Sequence, residues 1–293
     1  MKPIRRAGLF AFEAKLEHRR LLLELAALLR RCGVRCVGLG PGAPALRRIA
    51  FPGLKLARRV NGLHALLSLG GDGTLLGAVA MAAPAAIPVL GVNLGQLGYM
   101  TAVGAGSLEA ELPALLQGRG RLERRAMLSG RILRRGKAPL PVAALNDAVL
   151  GRPRRGKLAG IEARVDGRPL AKYRADGLII STPTGSTAYA LAAGGPIVAP
   201  QADALLLVPI APHTLSNRPL VLPGRALLEF RPVPGADLHL SLDGAAPLPL
   251  RPGDVLQLRR SPRPAFLILA PSHDPWAVLR AKLGWQQPAT AEG

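Results

Sequence analysis

The sequence is poor in acid, in aromatic rings, in cysteine and in long apolar runs, and each shortage excludes something. Asp and Glu number 18 against 39 Lys and Arg, a formal charge of +21 over 293 residues. Such a field draws anions toward clefts, which leaves nucleic acid, an anionic membrane surface and phosphorylated small molecules as classes of partner. Aromatic residues are only 3% of the chain, and the basic residues fall in scattered pairs (Arg19-Arg20, Arg30-Arg31, Arg58-Arg59, Arg134-Arg135) rather than in blocks. A single-strand binder interleaves stacking rings with its cations, so nucleotide-sized anions fit better than nucleic acid. Cys32 and Cys36 are the only cysteines. With no histidine-rich segment near them they are too few for zinc, and buried thiols at a helix–strand junction are expected. No apolar run reaches the length of a membrane span. Glu13 and Lys15 interrupt the stretch behind the basic start, so no secretory signal is read. A cytoplasmic protein with neither membrane nor nucleic acid as partner is expected.

What is present is a chain with 49% apolar residues, enough for two modest domains that each bury a core. Short apolar runs at Ala7–Phe12, Val34–Leu39, His64–Leu69 and Ile87–Val92 read as strands. Helical spacing appears at Leu16–Cys32, stopped by Gly33, at Leu75–Met81, and at Leu108–Leu116 with Ser107 as N-cap. The stretch from Pro41 to Val60 is poorly periodic and reads as loop or irregular helix. Strands alternating with helices imply a parallel sheet covered on both faces. Beyond Met127 the texture changes to short strand-like segments with Gly or Pro between them. These are Ser129–Leu133, Val142–Leu150, Gly160–Val165, Gly177–Ser181, Ala204–Val208, Leu227–Arg231, Leu238–Leu242 and Val255–Arg259. Asp166-Gly167 marks a hairpin, and only Thr187–Ala193 reads as a short helix. The expected fold is therefore an α/β N-terminal domain followed by an all-β C-terminal domain. A closing helix at Trp276–Leu283 returns to the first domain, and Gln286–Gly293 is a polar tail. The expected boundaries are 1–125 with 270–293, and 126–269.

The feature that carries chemistry is Leu69-Gly70-Gly71-Asp72-Gly73-Thr74. Strand, glycine turn and helix present backbone N–H groups to phosphate at a sheet's carboxyl edge. A second glycine turn, Asn93-Leu94-Gly95-Gln96-Leu97-Gly98-Tyr99, follows the next strand and belongs on the same edge. No Lys-Ser or Lys-Thr follows the first turn, so it is not a Walker A loop. A carboxylate does not attract phosphate. Asp72 therefore binds a cation, or takes a proton beside the phosphates, or merely caps the helix of an ordinary βα turn.

Two polar clusters later in the chain favour function. In Leu145-Asn146-Asp147-Ala148-Val149 an amide and an acid interrupt an apolar strand, where an Asx turn is the plainer alternative. From Arg174-Ala175-Asp176 the chain runs through a strand into Ser181-Thr182-Pro183-Thr184-Gly185-Ser186-Thr187-Ala188-Tyr189. Capping explains one or two of the five hydroxyls in that turn, which leaves the others free for a ligand.

Together with Pro209-Ile210-Ala211-Pro212-His213-Thr214-Leu215, these segments resemble the bacterial-type NAD kinase family over almost the whole chain. The acid-bearing turn alone is weak, because lipid kinases and phosphofructokinases share one like it. The hydroxyl segment and the Pro-Ile-Ala-Pro-His-Thr-Leu run are more specific. The resemblance implies transfer of the γ-phosphate of ATP, or of a polyphosphate phosphate, to the 2′-hydroxyl of the adenosine ribose of NAD, giving NADP. It implies Asp72 as general base, Gly71 and Gly73 as the backbone approach to phosphate, and Mg²⁺ bridging the donor, with no metal ligand fixed by the protein. Asn146 and Asp147 would bind the adenosine half of NAD. Asp176, Thr187, Ala188 and Tyr189 would hold the rest, with Lys157 and Arg174 as basic contacts and Ala192 on the pocket wall. Residues of a neighbouring subunit complete the site in this family, so a homo-oligomer, dimer or tetramer, is expected. The chain departs from the family at Asp147, where many members carry Glu, at Tyr99-Met100 in place of Phe-Leu, and at Ala245-Ala246, where many carry Gln. His213 reads as a structural residue. A diacylglycerol- or sphingoid-type lipid kinase and a basic nucleic-acid-binding module are the competing readings. Asp176–Tyr189 is too polar for the first, and the scattered arginines argue against the second.

Overall fold

The structure is a computed structural model, and it describes residues 1–13, 18–95, 98–152, 158–214 and 216–285. The chain opens with β1 (Arg6–Phe10), α1 (Arg19–Arg31), β2 (Arg35–Leu39), α2 (Ala43–Ile49) and the short β3 (Lys55–Leu56). Next come β4 (Ala65–Leu69), α3 (Asp72–Ala82), β5 (Val89–Val92), α4 (Leu108–Ala114) and β6 (Arg121–Arg125). A run of strands follows: β7 (Leu128–Leu133), β8 (Leu140–Ala144), β9 (Asp147–Gly151), β10 (Ala159–Val165), β11 (Arg168–Ala175) and β12 (Gly177–Ser181). The four-residue helix α5 (Tyr189–Ala192) precedes β13 (Ala204–Ile210), β14 (Leu220–Pro223), β15 (Leu228–Pro232), β16 (Leu238–Leu242), β17 (Leu248–Leu250) and β18 (Val255–Arg260). Strand β19 (Ala265–Leu269) and helix α6 (Pro275–Leu283) close the described chain.

The chain divides into two compact units, Met1–Glu123 with Phe266–Gly293, and Arg124–Ala265. The first holds a sheet of order β3-β2-β1-β4-β5-β19-β6, with parallel pairing from β3 through to β19. Every residue of β4 is buried, which is why it reads as a continuous apolar run rather than an alternation. Helix α1 buries Leu22, Leu25, Ala26, Leu28 and Leu29 on one face and carries Arg30 and Arg31 in its last turn, where cations complement the helix dipole. The return to this sheet begins with β19, ahead of the C-terminal helix. Pro41–Val60 contains a regular helix, α2, whose Pro44 sits in the first turn where its missing N–H costs nothing.

The second unit is a two-sheet sandwich. One sheet runs β11-β10-β15-β18-β7-β8 and the other β14-β13-β12-β9-β16-β17. Leu128, Ile132, Ile161 and Phe230 from the first share a core with Leu150, Leu178, Ile180, Leu207 and Leu240 from the second. The outer face of β12 and β13 is covered as well, because Ile179, Leu206 and Val208 pack with Ala190 of α5. Asp166 and Gly167 both take positive φ, 49° and 76°, as a two-residue hairpin turn demands, and they join β10 to β11 in antiparallel register.

Two expectations need correction. Val142–Leu150 is not one strand: β8 and β9 belong to different sheets, and the chain crosses between them at Leu145-Asn146. The short helix expected at Thr187–Ala193 is a 3-10 turn over Thr184–Thr187 followed by α5. No helix among the described residues is long and apolar enough to cross a membrane. Cys32 and Cys36 are unpaired and only half-buried, and burial pushes the Cys36 thiol up to about 11.

Candidate functional site

In the first unit Gly71 is the N-cap of α3, so Asp72 is the helix's first residue rather than the middle of a loop. The preceding Gly70 has φ 146°, and a Cβ there would lie 2.5 Å from Thr74 Oγ1, so this corner of the turn is specific to glycine. Asp72 does not cap its own helix. Its carboxylate reaches the second glycine turn, where Oδ2 accepts from Tyr99 N at 2.8 Å and Oδ1 from Met100 N at 3.1 Å. A Cβ at Gly98 would collide with that carboxylate. The two glycine turns are thus tied through one acid. The donors are backbone N–H groups, so the Tyr99-Met100 replacement leaves the tie intact. Each Asp72 oxygen keeps a lone pair for one further donor. Around Gly71 and Gly73 an added Cβ would meet nothing within 4 Å, so the N-terminal face of α3 is open.

In the second unit Asn146 and Asp147 stand where the chain enters β9, and both are about 6% exposed. Ser181 at the end of β12 pairs with Asp147. Past it, Thr182 N donates to Asn146 O at 2.9 Å, Thr182 Oγ1 to Leu145 O at 2.6 Å and Ser181 Oγ to Asn146 O at 3.1 Å. Ser186 Oγ bonds Pro183 O at 2.7 Å and Val198 N at 3.0 Å, and Thr187 Oγ1 donates to Thr184 O at 3.4 Å. Four of the five hydroxyls are therefore engaged by the protein itself, which corrects the expectation that most serve a ligand: the turn is a self-bonded scaffold. The exception is Thr184. Its Oγ1 and Asn146 Oδ1 are buried without a hydrogen-bond partner, a costly condition for polar atoms unless something else completes it.

Asp147 is further shaped by Asp243, left out of the expected site because the Ala245-Ala246 that follows Asp243-Gly244 departs from the family's Gln. Burial, and then the charge of Asp243, push Asp147 up to about 6. Ala188 is half-buried, while Tyr189, 47% exposed, and Ala192 lie on the outer side of α5.

Arg174 and Asp176 are not brought to this cluster within one chain. They precede β12, and Gly177 pairs with Gly151 while Ser181 pairs with Asp147, so the length of the strand, about 16 Å at the usual rise, separates them from Asn146–Asp147. Asp176 instead meets Arg152 at 3.2 Å. Arg152 and Arg174, with Lys172, His239 and Arg251, line a cavity of about 1180 Å³ in which Asp237 is the one acid among the described residues. Lys157 lies outside the described residues. His213 is exposed, and its N–H donates to Arg174 O at 2.9 Å.

Among the described residues no group of three or more His, Cys, Asp or Glu could hold a metal ion. Asp72 is the only carboxylate of its turn, and both its oxygens already face N–H donors. This donor set does not fit a resident divalent cation.

The family models of the ATP-NAD kinase N-terminal and C-terminal domains match residues 55–120 and 145–270. An NAD kinase of Symbiobacterium thermophilum is 47% identical over 220 residues, covering 74% of this chain and 77% of that protein. One of Burkholderia multivorans is 38% identical over 271 residues, covering 92% and 90%. The chain belongs to the NAD kinase family. Among solved structures, yeast NADH kinase complexed with NADH superposes with a TM-score of 0.87 at 25% identity, covering 100% of this chain and 91% of that one. An NAD kinase from Archaeoglobus fulgidus in complex with ATP shares the fold, with a TM-score of 0.70 at 24% identity over 95% and 97% of the chains. Family membership leaves the lipid-kinase and nucleic-acid readings without support. Within the family frame Thr184 and Asp243 are additions to the candidate set. The signal for Thr184 was in the hydroxyl-dense turn but could not be separated from its neighbours. Asp243 lies just ahead of Ala245-Ala246, and that departure from the family's Gln kept it out of the expected site.

Proposed function

We propose that this chain phosphorylates NAD with ATP, giving NADP, and that it acts on the 2′-hydroxyl of the adenosine ribose. The observation that carries the substrate is the buried, unpartnered pair Asn146 Oδ1 and Thr184 Oγ1. Adenosine supplies complementary hydrogen-bonding groups, and Asp147 accepts from ribose hydroxyls. Thr187, Ala188 and Tyr189 line the approach, with Ala192 on the wall. Phosphoryl transfer mainly needs positioning and charge neutralisation. The ribose oxygen attacks the γ-phosphorus, the bond to the β–γ bridging oxygen breaks, and ADP leaves. The proton of the hydroxyl passes to Asp72, whose two backbone bonds orient the carboxylate and leave lone pairs to receive it. The open N–H face around Gly71 and Gly73 takes the donor's phosphates, the γ-phosphate of ATP or a terminal phosphate of polyphosphate. Mg²⁺ enters with those phosphates as part of the donor, and no residue of the chain is assigned to it.

Arg174 and Asp176, with Lys157, act in this reading from a neighbouring copy. For Arg174 and Asp176 the support is their distance along β12 from Asn146–Asp147 in a single chain; Lys157 joins them on the family resemblance alone. The enzyme is then a cytoplasmic homo-oligomer, a dimer or tetramer, whose first unit carries donor chemistry and whose second selects NAD.

The test is an assay of purified protein with NAD, ATP and Mg²⁺, read through an NADP-specific dehydrogenase. NADP should accumulate in step with ATP consumption. Well-folded protein that makes none would overturn the reading.

A further inference from the structure

The second unit contains an acid whose role follows neither from the reaction nor from the hydroxyl turn. Asp243 leaves β16 with φ 50°, followed by Gly244 at 73°. Its carboxylate accepts three consecutive backbone N–H groups from the segment that enters the neighbouring strand β9: Leu145 at 2.7 Å, Asn146 at 2.7 Å and Asp147 at 3.1 Å. Asp243 N returns a bond to Asp147 O at 3.0 Å. The crossing of the chain between the two sheets is thereby wrapped around one carboxylate, nearly a hundred residues away in sequence.

We propose that Asp243 is a positioning residue for the dinucleotide, its carboxylate fixing the Leu145–Asp147 turn so that Asn146 and Asp147 present their side chains to the adenosine half. This rests on the reading of the chain as an NAD kinase. The backbone donors of Asn146 and Asp147 are consumed by Asp243 and their carbonyls by Thr182, Ser181 and Asp243. The side chains are what remains for a ligand. Removing the brace would free the turn to satisfy Asn146 Oδ1 internally, at the ligand's expense.

The brace also sets how Asp147 holds its proton. Strand β12 brings only the Ser181 hydroxyl opposite Asp147, and β16 brings Leu242 and Ser241 opposite Ala148 and Val149. Among the described residues, the other titratable groups near this strand, His239 and the Arg152–Asp176 pair, belong at the far end, beside Gly151. The charge that bears on Asp147 is therefore that of Asp243, which acts with burial in the same direction. Asp243 is itself raised by burial, while its three N–H donors pull it back down.

The experiment compares wild type with Asp243→Asn and Asp243→Glu. Steady-state kinetics are run across pH 5–8, and the Asp147 side-chain carboxyl is titrated by carbon-13 NMR. An Asn amide places an N–H₂ against one backbone N–H where the carboxylate accepted, so KM for NAD should rise about tenfold with kcat held within about twofold. The Asp147 midpoint should move below its wild-type value, because a like charge has been removed. Asp243→Glu, which keeps the charge, should recover part of the KM and leave the midpoint near wild type. It also serves as the readout if the Asn variant does not fold. An unchanged KM and midpoint in a variant of an active enzyme would overturn the positioning role alone. A folded wild type that makes no NADP would overturn the functional reading beneath it.

Discussion

Asp72, at the start of helix α3, and Asp147, at the start of strand β9, are two acids with opposite surroundings. Asp72 is a carboxylate met by donors: two N–H groups of another turn point at its oxygens. Asp147 is a carboxylate deprived of them, buried and facing the charge of Asp243, which has taken three N–H groups of that turn for itself. The first arrangement fixes a carboxylate by its N–H donors and leaves lone pairs for one more. The second makes an acid whose ionisation is costly, and which gains most when a bound hydroxyl arrives. The same side chain can thus serve chemistry in one unit and recognition in the other, according to who holds the backbone donors.

The comparison breaks most sharply at Asp72. Asp72→Asn removes the base and leaves one of the two backbone N–H groups facing an amide N–H₂ instead of an acceptor, and turnover is expected to fall by about 10²–10⁴ with NAD binding nearly unchanged. Near-normal turnover, measured beside NAD affinity by calorimetry, would show that the hydroxyl's proton goes elsewhere. Asn146→Ala removes the orphan acceptor from the recognition turn. KM for NAD is expected to rise at least about tenfold with a smaller change in kcat, and the reverse pattern in steady-state assays would place Asn146 in the chemistry instead.

Asp147 yields a pH test with a definite sign. Its folded value of about 6 lies above the ~3.9 of an unfolded Asp. The folded chain therefore holds the proton more tightly. The resulting stabilisation is complete below about pH 4 and is lost as pH rises through about 6. Asp147→Asn should stabilise the protein at pH 8 by roughly 3 kcal/mol and change little at pH 4, while weakening NAD. Chemical denaturation at the two pH values checks this, and an equal effect at both would remove the contrast with Asp72. The smallest effect is expected at Thr184→Val, which deletes the second orphan. A few-fold rise in KM for NAD with unchanged or slightly higher melting temperature is expected, since the hydroxyl has no partner in the protein to lose.

Much of this was legible in the chain. The buried strand Ala65–Leu69, the glycine turn and the helix behind it form one local unit, where apolar run, turn residue and helix former agree. The same holds for the Asp166-Gly167 hairpin. The polar edge strand Arg168–Ala175 was not legible, because an edge strand exposes one side and carries little apolar pattern. Nor was β19 legible as a member of the first unit's sheet. Ala265–Leu269 follows the short strands of the sandwich and looks like one more of them, yet it pairs with β5.

By itself the sequence determined the two kinds of architecture, the acid in the glycine turn and the family, because each is written in local pattern and spacing. Only the tertiary structure decided what each polar group is free to do. Ser181, Thr182, Ser186 and Thr187 are spent on the scaffold while Thr184 and Asn146 Oδ1 are left over. Asp243 takes the backbone that Asp147 might have used. Hydrogen-bond supply is settled between residues far apart in the chain, and no window of sequence contains both partners.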